Sequence, residues 1–319
     1  MVAPFAPRRS WIRRARHAAF QKGILAPMPS EVPARHLERI AVAPALIVGA
    51  PRSGTTRLQR LLLADPRCAG GQESHFFASF GGALRDFDRK RAMSRPHGLA
   101  AYWHREELVT ELRGLWVRMA SRVLELRPEA LLLVEKTPDH ALWLDVVREV
   151  LPDARVIHAV RDSRAVVASL LAAGRTAWGA DWAPKSLAAA IAVWRRHVEA
   201  VLAHAPDAPV VHHERLAAEP VGSLATLFAN LELPIESGDL AALVAREPTV
   251  RFAAAGAIGE PPAEPEGFDR RHAAGDDGAG ARARWRRELG LLASRRVWRE
   301  TAALMERLGY REDGTVVGP

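Results

Sequence analysis

The sequence predicts an α/β fold in which a central parallel sheet lies between helices on both of its faces. Apolar runs of strand length alternate with helical patterns along most of the chain, which is typical of parallel strands joined by crossover helices. Polar groups follow several of these runs at the end where open α/β sheets bind ligands. The chain has 319 residues, 48% of them hydrophobic, which is enough for one large α/β domain.

The first strand leads directly into a glycine-containing turn and a helix. An apolar run ends at Gly49, Gly54 follows five residues later, and helical periodicity begins at Thr55. Where a strand, a glycine loop and a helix N-terminus meet, backbone N–H groups converge and the helix dipole favours negative charge. This stretch therefore predicts an anion-binding site, although a simple turn without a ligand is the alternative.

The turn is close to a P-loop but differs from it at one position. The pattern G-x-x-x-x-G-K-[ST] aligns with residues 49–56, and Thr55 stands where the lysine is expected. Loss of that lysine argues against ordinary γ-phosphoryl transfer. Arg52 within the loop could supply a cation instead. We therefore expect a P-loop-like three-layer sandwich.

The segment after the first βα unit carries two candidate site residues. The first helix is expected to end before Pro66. Residues 70–77 are predicted to be an edge strand or a strand end. If this segment is extended, Glu73 and His75 point to the same side, because side chains alternate along a strand.

The remaining elements follow from periodicity and from turn residues. Residues 81–100 are predicted to be a basic surface excursion, and Asp162 or Ser163 is expected to cap a helix. The predicted strands are 131–134, 155–160 and 209–213, and the predicted helices are 103–126, 139–150, 164–173, 186–203, 221–231 and 284–308. Residues 253–283 are rich in Gly, Ala, Pro, Asp and Arg, which predicts a long flexible loop or lid.

The chain is basic, and arginine carries nearly all of the positive charge. The net charge is +8 and the sequence pI is about 10.5, which favours anionic ligands, nucleic acid or anionic membranes. Residues 1–40 form a basic N-terminal extension, and 41–319 is expected to be a single domain. The extension could contact a membrane or polyanion, pack on the domain, or be a disordered tail. Because no nucleic-acid module signature is present, no nucleic-acid partner is expected.

The sequence shows few features that indicate a cellular location. Cys68 is the lone cysteine, so no disulfide framework is expected and a reducing, cytoplasmic location fits. No apolar run approaches ~18 residues, the length that suggests a transmembrane helix. No apolar segment of a signal peptide is evident at the N-terminus.

Three separated stretches together resemble the motifs of PAPS-dependent sulfotransferases, where PAPS is 3′-phosphoadenosine 5′-phosphosulfate. They are Pro-Arg-Ser-Gly-Thr-Thr at 51–56, Glu-Lys-Thr-Pro at 135–138 and Arg-Asp-Ser-Arg-Ala-Val-Val-Ala-Ser at 161–169. The final helical region, 285–310, also resembles the C-terminal helices of that family. The resemblance covers about 44–310. Within the family, the chain resembles a bacterial type related to the glycan and protein-tyrosine branches.

The resemblance implies a role for each candidate site residue. The loop residues Pro51, Arg52, Ser53, Gly54, Thr55 and Thr56 would hold the 5′-phosphosulfate of PAPS. Arg161 and Ser169 would hold its 3′-phosphate. Glu73 would be the general base, and Lys136 and Arg52 would act near the sulfuryl group. The acceptor would be a hydroxyl-bearing small molecule, lipid or glycan, and no metal is expected.

Several alternatives stay open from the sequence. His75 could be the base instead of Glu73, because its usual pKa lies near neutrality. A degenerate P-loop kinase would need an acidic Mg²⁺ ligand, for which Glu135 is the nearest candidate. A nucleotide- or polyanion-binding protein without turnover is the third reading. His213 stands where relatives have tyrosine, which puts the usual contacts of that segment in doubt.

The acceptor side is less well defined. Residues 81–105, 174–185 and 253–283 are expected to line it. Trp178, Trp182 and Phe252 in or beside these segments indicate an apolar or ring-bearing hydroxyl compound.

Overall fold

The computed structural model describes residues 42, 44–95, 97–247 and 278–317, without the side chains of 278–284. These residues belong to one compact unit, Val42–Pro319. Their sheet has five parallel strands in the order β2-β3-β1-β4-β5. The strands are β1 Pro44–Val48, β2 Cys68–Gly70, β3 Leu132–Lys136, β4 Arg155–Val160 and β5 Val210–His212.

Ten α-helices and two 3₁₀ segments lie within the described ranges. The helices are α1 Thr55–Leu63, α2 Phe76–Arg91, α3 Arg105–Glu125, α4 Leu144–Val150, α5 Ser163–Ala173, α6 Leu187–His204, α7 His213–Ala218, α8 Pro220–Asn230, α9 Ser237–Arg246 and α10 Gly278–Arg307. The 3₁₀ segments are Gly98–Ala101 and Pro138–Trp143. Helix α10 is kinked at Gly290, where φ is 69°. No helix among the described residues has the length and apolar character needed to cross a bilayer.

The central strand β1 is buried on both faces, which confirms the predicted three-layer α/β fold. Leu46 and Val48 pack into one core cluster with residues of α2, α3 and α4. Ala45 and Ile47 pack into another with residues of α1, α8 and α9. Since side chains alternate along a strand, a continuous apolar run is what a strand covered on both faces requires.

The topology places the carboxyl ends of three strands side by side. From β1 the chain crosses to β2 at one edge, returns through β3, and passes to β4 on the other side of β1. Ile47 pairs with Lys136 on β3 and with Ile157 on β4. A crevice at the point where the strand order reverses is the usual ligand site of an open α/β sheet. The loop after β1 therefore lies between the ends of β3 and β4.

Two sequence predictions between β2 and α3 need correction. The edge strand is Cys68–Gly70, so only Gly70 of the predicted segment 70–77 belongs to it, and α2 begins at Phe76. The stretch 81–100 is helical as far as Arg91 with a buried apolar face, and only its second part, where the described residues from 91 to 99 are exposed, fits the predicted surface excursion. Gly81, Leu84 and Phe87 form that face together with Phe76 and Phe77. Charged residues on the outer face hid this periodicity.

Smaller differences concern element ends. The helix predicted at 139–150 divides into a 3₁₀ turn, Pro138–Trp143, and α4. The strand predicted at 209–213 is only Val210–His212, and His213 begins α7. Helix α9 was not predicted. The backbone at 278–283, expected to be loop, belongs to α10, whereas the rest of the predicted loop (253–277) and the 1–40 extension lie outside the described residues.

Gly49 closes the first strand where no side chain fits. Its φ is 147°, and a Cβ there would lie 2.2 Å from the Ala159 carbonyl oxygen on β4. Gly49→Ala is expected to lower the free energy of unfolding by about 2–4 kcal/mol, from steric overlap plus backbone strain. Urea unfolding measures this. Gly222→Ala is the control, because nothing lies within 4 Å of its added Cβ. Equal stabilities of the two variants would contradict the packing described for Gly49.

The buried imidazole of His158 makes the stability of the fold depend on pH. It is 1% exposed on β4, and its Nε2 has no hydrogen-bond partner among the described residues. Burial, with a smaller contribution from His212, lowers the pKa of His158 from 6.5 to about 3. Between these two values the unfolded chain binds a proton that the folded chain does not. Acidification therefore destabilises the fold.

Replacing His158 with leucine is expected to flatten the acid side of the stability profile. The slope of unfolding free energy against pH should fall by up to about 1.4 kcal/mol per pH unit below 6.5. Urea unfolding at several pH values from about 4 to 7 measures the slope. His75→Leu is the control, because the side chain of His75 is 51% exposed. An unchanged slope in His158→Leu would show that this imidazole accepts a proton in the folded state.

Candidate active site

The loop between β1 and α1 contains residues with positive φ. Arg52 has φ 74° and Gly54 has φ 86°, so the chain turns twice through the left-handed region before α1 begins at Thr55. A non-glycine residue such as Arg52 adopts this conformation at an energetic cost, and such strain is concentrated at functional sites. The predicted loop residues Pro51, Arg52, Ser53, Gly54, Thr55 and Thr56 all lie at this turn, at the N-terminus of α1.

Two buried polar atoms beside the loop have no partner among the described residues. Ser53 is 2% exposed and its Oγ makes no hydrogen bond. The Nδ1 of His213 is also unpartnered, and it would lie 2.3 Å from a Cβ added to Gly54. Burial, then Arg161 and Arg57, lowers the pKa of His213 well below its usual value, so the imidazole is neutral. Unpartnered buried polar atoms are costly, which fits a loop built to receive a polar ligand.

Arg52 joins the loop to the two predicted phosphate-binding residues. Its Nε donates a hydrogen bond to Ser169 Oγ at 3.0 Å, and Nη1 of Arg161 donates to the Arg52 carbonyl oxygen at 3.3 Å. Burial and the neighbouring Arg161 lower the pKa of Arg52, whereas Glu73 raises it. Two cations held this close favour an anion between or beside them. The structure thus brings Arg52, Arg161 and Ser169 together.

The predicted catalytic pair is in direct contact. Lys136, at the end of β3, donates from Nζ to Oε1 of Glu73, and its side chain is only 5% exposed. Glu73 is 35% exposed and also lies 3.4 Å from His75, measured from Oε2 to Nε2. His75 has φ 48°, so the two side chains meet through a left-handed turn and not through the extended chain that the sequence predicted.

The buried carboxylate of Glu135 lies between the two segments that carry this pair. Glu135 accepts hydrogen bonds from Ser74 Oγ at 2.7 Å, Thr137 Oγ1 at 2.7 Å and His140 Nδ1 at 2.9 Å. The Nε2 of His140 accepts from the Phe77 N–H, so Nδ1 carries the proton. Burial would raise the pKa of Glu135, but the His140 interaction and the hydroxyl hydrogen bonds outweigh it and lower the pKa to about 2.

The helix after β4 is capped by Asp162, one of the two residues that the sequence offered for this role. Asp162 accepts from the Arg164 backbone N–H at 2.9 Å and from the Arg164 guanidinium at 2.6 and 3.0 Å. That guanidinium lies over Trp285 and Trp298, with its central carbon 4.2 and 5.0 Å from the ring centroids. Helix α10 is thereby packed against the strand end that carries Arg161.

The buried carboxylate of Glu214 joins the start of α5 to Tyr310. Its carboxylate accepts from the Asp162 N–H at 3.0 Å and from the Tyr310 hydroxyl at 2.7 Å. Burial raises the pKa of Glu214 despite these two donors. A cavity of about 60 Å³ adjoins Arg161 here, between Glu214 and Trp285.

An aromatic pair flanks the loop on the side assigned to the acceptor. Trp178 and Trp182 meet edge to face with centroids 4.6 Å apart. The guanidinium of Arg52 lies 5.6 Å from the Trp178 ring, and Trp182 is 42% exposed. Phe252, the third aromatic residue predicted there, lies outside the described residues.

Sequence reasoning missed the residues that support the site. Ser74, Thr137 and His140 were not singled out, although each is within five residues of Glu73 or Glu135. The only available signal was the run of polar side chains next to the candidate catalytic residues. The described residues do not bring three or more His, Cys, Asp or Glu side chains together as a metal site.

The fold defines a P-loop-like α/β protein with a glycine-containing loop at the carboxyl ends of its central strands. The Sulfotransferase family model matches residues 44–237, more than half of the chain. The chain belongs to the sulfotransferase family.

Two individual proteins are also similar to this chain. A Caenorhabditis briggsae protein, assigned by inference as a protein-tyrosine sulfotransferase, is 25% identical over 195 residues, 58% of this chain. The match spans 64% of that relative's length, somewhat less than two thirds. The sulfotransferase domain of the Synechococcus PCC 7002 olefin synthase has the same fold, with a TM-score of 0.53 at 20% identity. That alignment covers 84% of this chain and 95% of the domain.

Proposed function

We propose that this protein transfers the sulfuryl group of PAPS to a hydroxyl group of an acceptor, with Glu73 as the general base. The observation that carries the proposal is the meeting of the loop, Arg52, and the Lys136–Glu73 pair at one edge of the sheet. Family membership supplies the reaction class, since sulfotransferases transfer sulfuryl groups. A cation, a carboxylate and an anion cradle in one place are what such a transfer requires.

The donor fits the charge of the described residues. The N-terminus of α1 and Arg52 would bind the 5′-phosphosulfate, and Ser53 Oγ would gain the partner it lacks. Arg161 and Ser169 would bind the 3′-phosphate, which distinguishes PAPS from ADP. The negative charge of the ligand's phosphates would offset the repulsion between Arg52 and Arg161.

The residues also account for each bond that changes. The donor's bond between sulfur and the bridging phosphate oxygen breaks, and a bond between sulfur and the acceptor oxygen forms. The acceptor's hydroxyl proton goes to Glu73, and the bridging oxygen leaves with adenosine 3′,5′-bisphosphate. Lys136 and Arg52 would stabilise the negative charge on the sulfuryl oxygens and the leaving phosphate. In this structure Lys136 contacts Glu73. When the donor is bound, Lys136 would instead contact the sulfuryl oxygens.

The acceptor is proposed only as a class. A hydroxyl-bearing small molecule, lipid or glycan is compatible with the site, as is a tyrosine side chain, on which the Caenorhabditis relative is inferred to act. The Trp178–Trp182 pair favours an acceptor with a ring or another apolar surface beside its hydroxyl. Segment 174–185 is therefore the described part of the chain in which to seek acceptor specificity.

The kinase alternative finds little support at Glu135. A kinase would use this acid to hold Mg²⁺. Both carboxylate oxygens of Glu135 instead accept hydrogen bonds, one from Ser74 and Thr137 and the other from His140. The side chain is also buried, and the side chains that bind it are those of Ser74, Thr137 and His140, which lie outside the loop.

Label transfer tests the proposed function directly. The protein is incubated with PAPS carrying ³⁵S in the sulfuryl group and with pools of phenols, aliphatic alcohols, saccharides and tyrosine peptides. Acceptor-dependent labelling of one pool, with matching release of adenosine 3′,5′-bisphosphate, is expected. Labelling of the same pools from [γ-³²P]ATP and Mg²⁺, with none from PAPS, would overturn the proposal in favour of a kinase.

A further inference from the structure

The hydrogen bonds around Glu135 connect two separate parts of the chain. One part is 73–77, which carries Glu73 into α2, and the other is 135–140, which carries Lys136. We call Glu135, Ser74, Thr137 and His140 the Glu135 clamp. None of these four side chains contacts the loop residues through a hydrogen bond among those described. The transfer chemistry does not use them.

The clamp restrains the backbone that follows Glu73. The Ser74 N–H and Oγ both donate to Glu135 Oε1, at 3.3 and 2.7 Å. The His75 N–H donates to Thr137 Oγ1 at 3.3 Å, and the Phe77 N–H donates to His140 Nε2 at 3.2 Å. Three backbone groups after Glu73 are thereby bound to residues adjoining Lys136. The position of one catalytic side chain relative to the other depends on these bonds.

A carboxylate is the group that this arrangement requires. Its two oxygens accept from four donors and offer none in return, so every group in the clamp is satisfied. Glutamine would place its NH₂ group either against His140 Nδ1–H, or against the Ser74 N–H and in place of the oxygen that accepts from the two hydroxyls. His140 could not adapt by moving its proton to Nε2, because Nε2 already accepts from Phe77. A polar network of this kind is rigid only when complete.

We propose that Glu135 is a positioning residue that holds Glu73 and Lys136 in contact. This inference rests on the proposed function for its catalytic meaning, but the contact itself exists independently of any substrate. When the clamp is broken, segment 73–77 loosens and Lys136 becomes accessible to solvent. The hydrogen bonds of the clamp do not include the loop residues proposed to hold the donor's phosphates. The affinity for adenosine 3′,5′-bisphosphate, which lacks the sulfuryl group, is therefore expected not to change.

Lysine acylation provides a test that needs neither donor nor acceptor. The chain has only four lysines, Lys22, Lys90, Lys136 and Lys185, so each can be followed separately by mass spectrometry. In the wild-type protein Lys136 should react slowly with acetic anhydride, because its side chain is 5% exposed and paired with Glu73. Glu135→Gln should increase its rate about tenfold or more, the expected consequence of losing hydrogen bonds to a charged group.

Ser74→Ala is the second variant, in case Glu135→Gln does not fold. It removes one hydroxyl donor to Glu135 at a half-buried position, and it should accelerate acylation of Lys136 in the same direction but less. Lys90 and Lys185 are internal references whose rates should not change. Adenosine 3′,5′-bisphosphate should bind both variants with the wild-type Kd.

The outcomes separate this inference from the proposed function. A wild-type rate at Lys136 in both variants would overturn the positioning role. Equal acceleration at Lys90, Lys136 and Lys185 would do the same, because it would indicate general loosening of the fold. Failure of the wild-type protein to bind adenosine 3′,5′-bisphosphate would instead count against the proposed function, and it would leave the acylation result to be judged independently.

Discussion

Replacing Glu73 with glutamine is expected to lower the rate of sulfuryl transfer by about 10²–10⁴-fold, the range that a general base contributes. Glutamine has nearly the same shape but cannot accept the acceptor's proton. Donor binding should persist, because Glu73 acts on the loop only through its charge near Arg52. Initial rates of adenosine 3′,5′-bisphosphate release, with calorimetric binding of that product, measure the two effects separately.

His75→Gln is the matched control for this prediction. His75 lies 3.4 Å from the same carboxylate, so it is close enough to the site to compete for the role of base. We expect its rate to stay within about tenfold of wild type, since a residue that only contacts the base should have a smaller effect. A large loss in His75→Gln, together with a small loss in Glu73→Gln, would exchange the roles of the two residues.

Arg161→Ala is expected to weaken the binding of adenosine 3′,5′-bisphosphate by roughly 10–100-fold, from the loss of charge-assisted hydrogen bonds to a phosphate. The guanidinium donates a hydrogen bond to the Arg52 carbonyl oxygen, within the loop proposed to hold the 5′-phosphosulfate. The affinity for ADP should change much less, because ADP lacks the 3′-phosphate. Titration calorimetry with both nucleotides measures the difference.

Arg195→Ala controls for the general loss of a positive charge. Arg195 lies on the exposed face of α6 and pairs with Glu199 one turn away. Its removal should leave both nucleotide affinities unchanged, since exposed charges are strongly screened by salt. If Arg161→Ala weakened ADP and the bisphosphate equally, its proposed contact with the 3′-phosphate would be wrong.

The parts of the fold that follow from local chemistry could be predicted from the sequence. Strand β4 was predicted at 155–160, where it lies, because its apolar run is bounded by Pro152 and by the Asp162 cap. The turn after β1 was recognisable because glycines and hydroxyls at that spacing have few other uses. Both features depend on residues within a few positions of each other.

The parts that depend on distant contacts could not be predicted. Helix α2 was missed because its periodicity is masked by charged residues. Hydrogen bonds join residues 74–77, where it starts, to Glu135 near the end of β3 and to Thr137 and His140 just after that strand. Glu73 and His75 were expected to point to the same side of an extended chain, whereas they meet at a left-handed turn at His75. Neither the turn nor the Glu135 clamp leaves a pattern along the sequence.

The choice of donor is the central claim, and one calorimetric comparison tests it most directly. The wild-type protein is titrated with adenosine 3′,5′-bisphosphate, ADP and Mg-ATP under identical conditions. We predict micromolar binding of the bisphosphate, clearly tighter than that of the other two nucleotides. Preference for Mg-ATP, or equal affinity for all three, would contradict the assignment of Arg161 and Ser169 to a 3′-phosphate and with it the proposed donor.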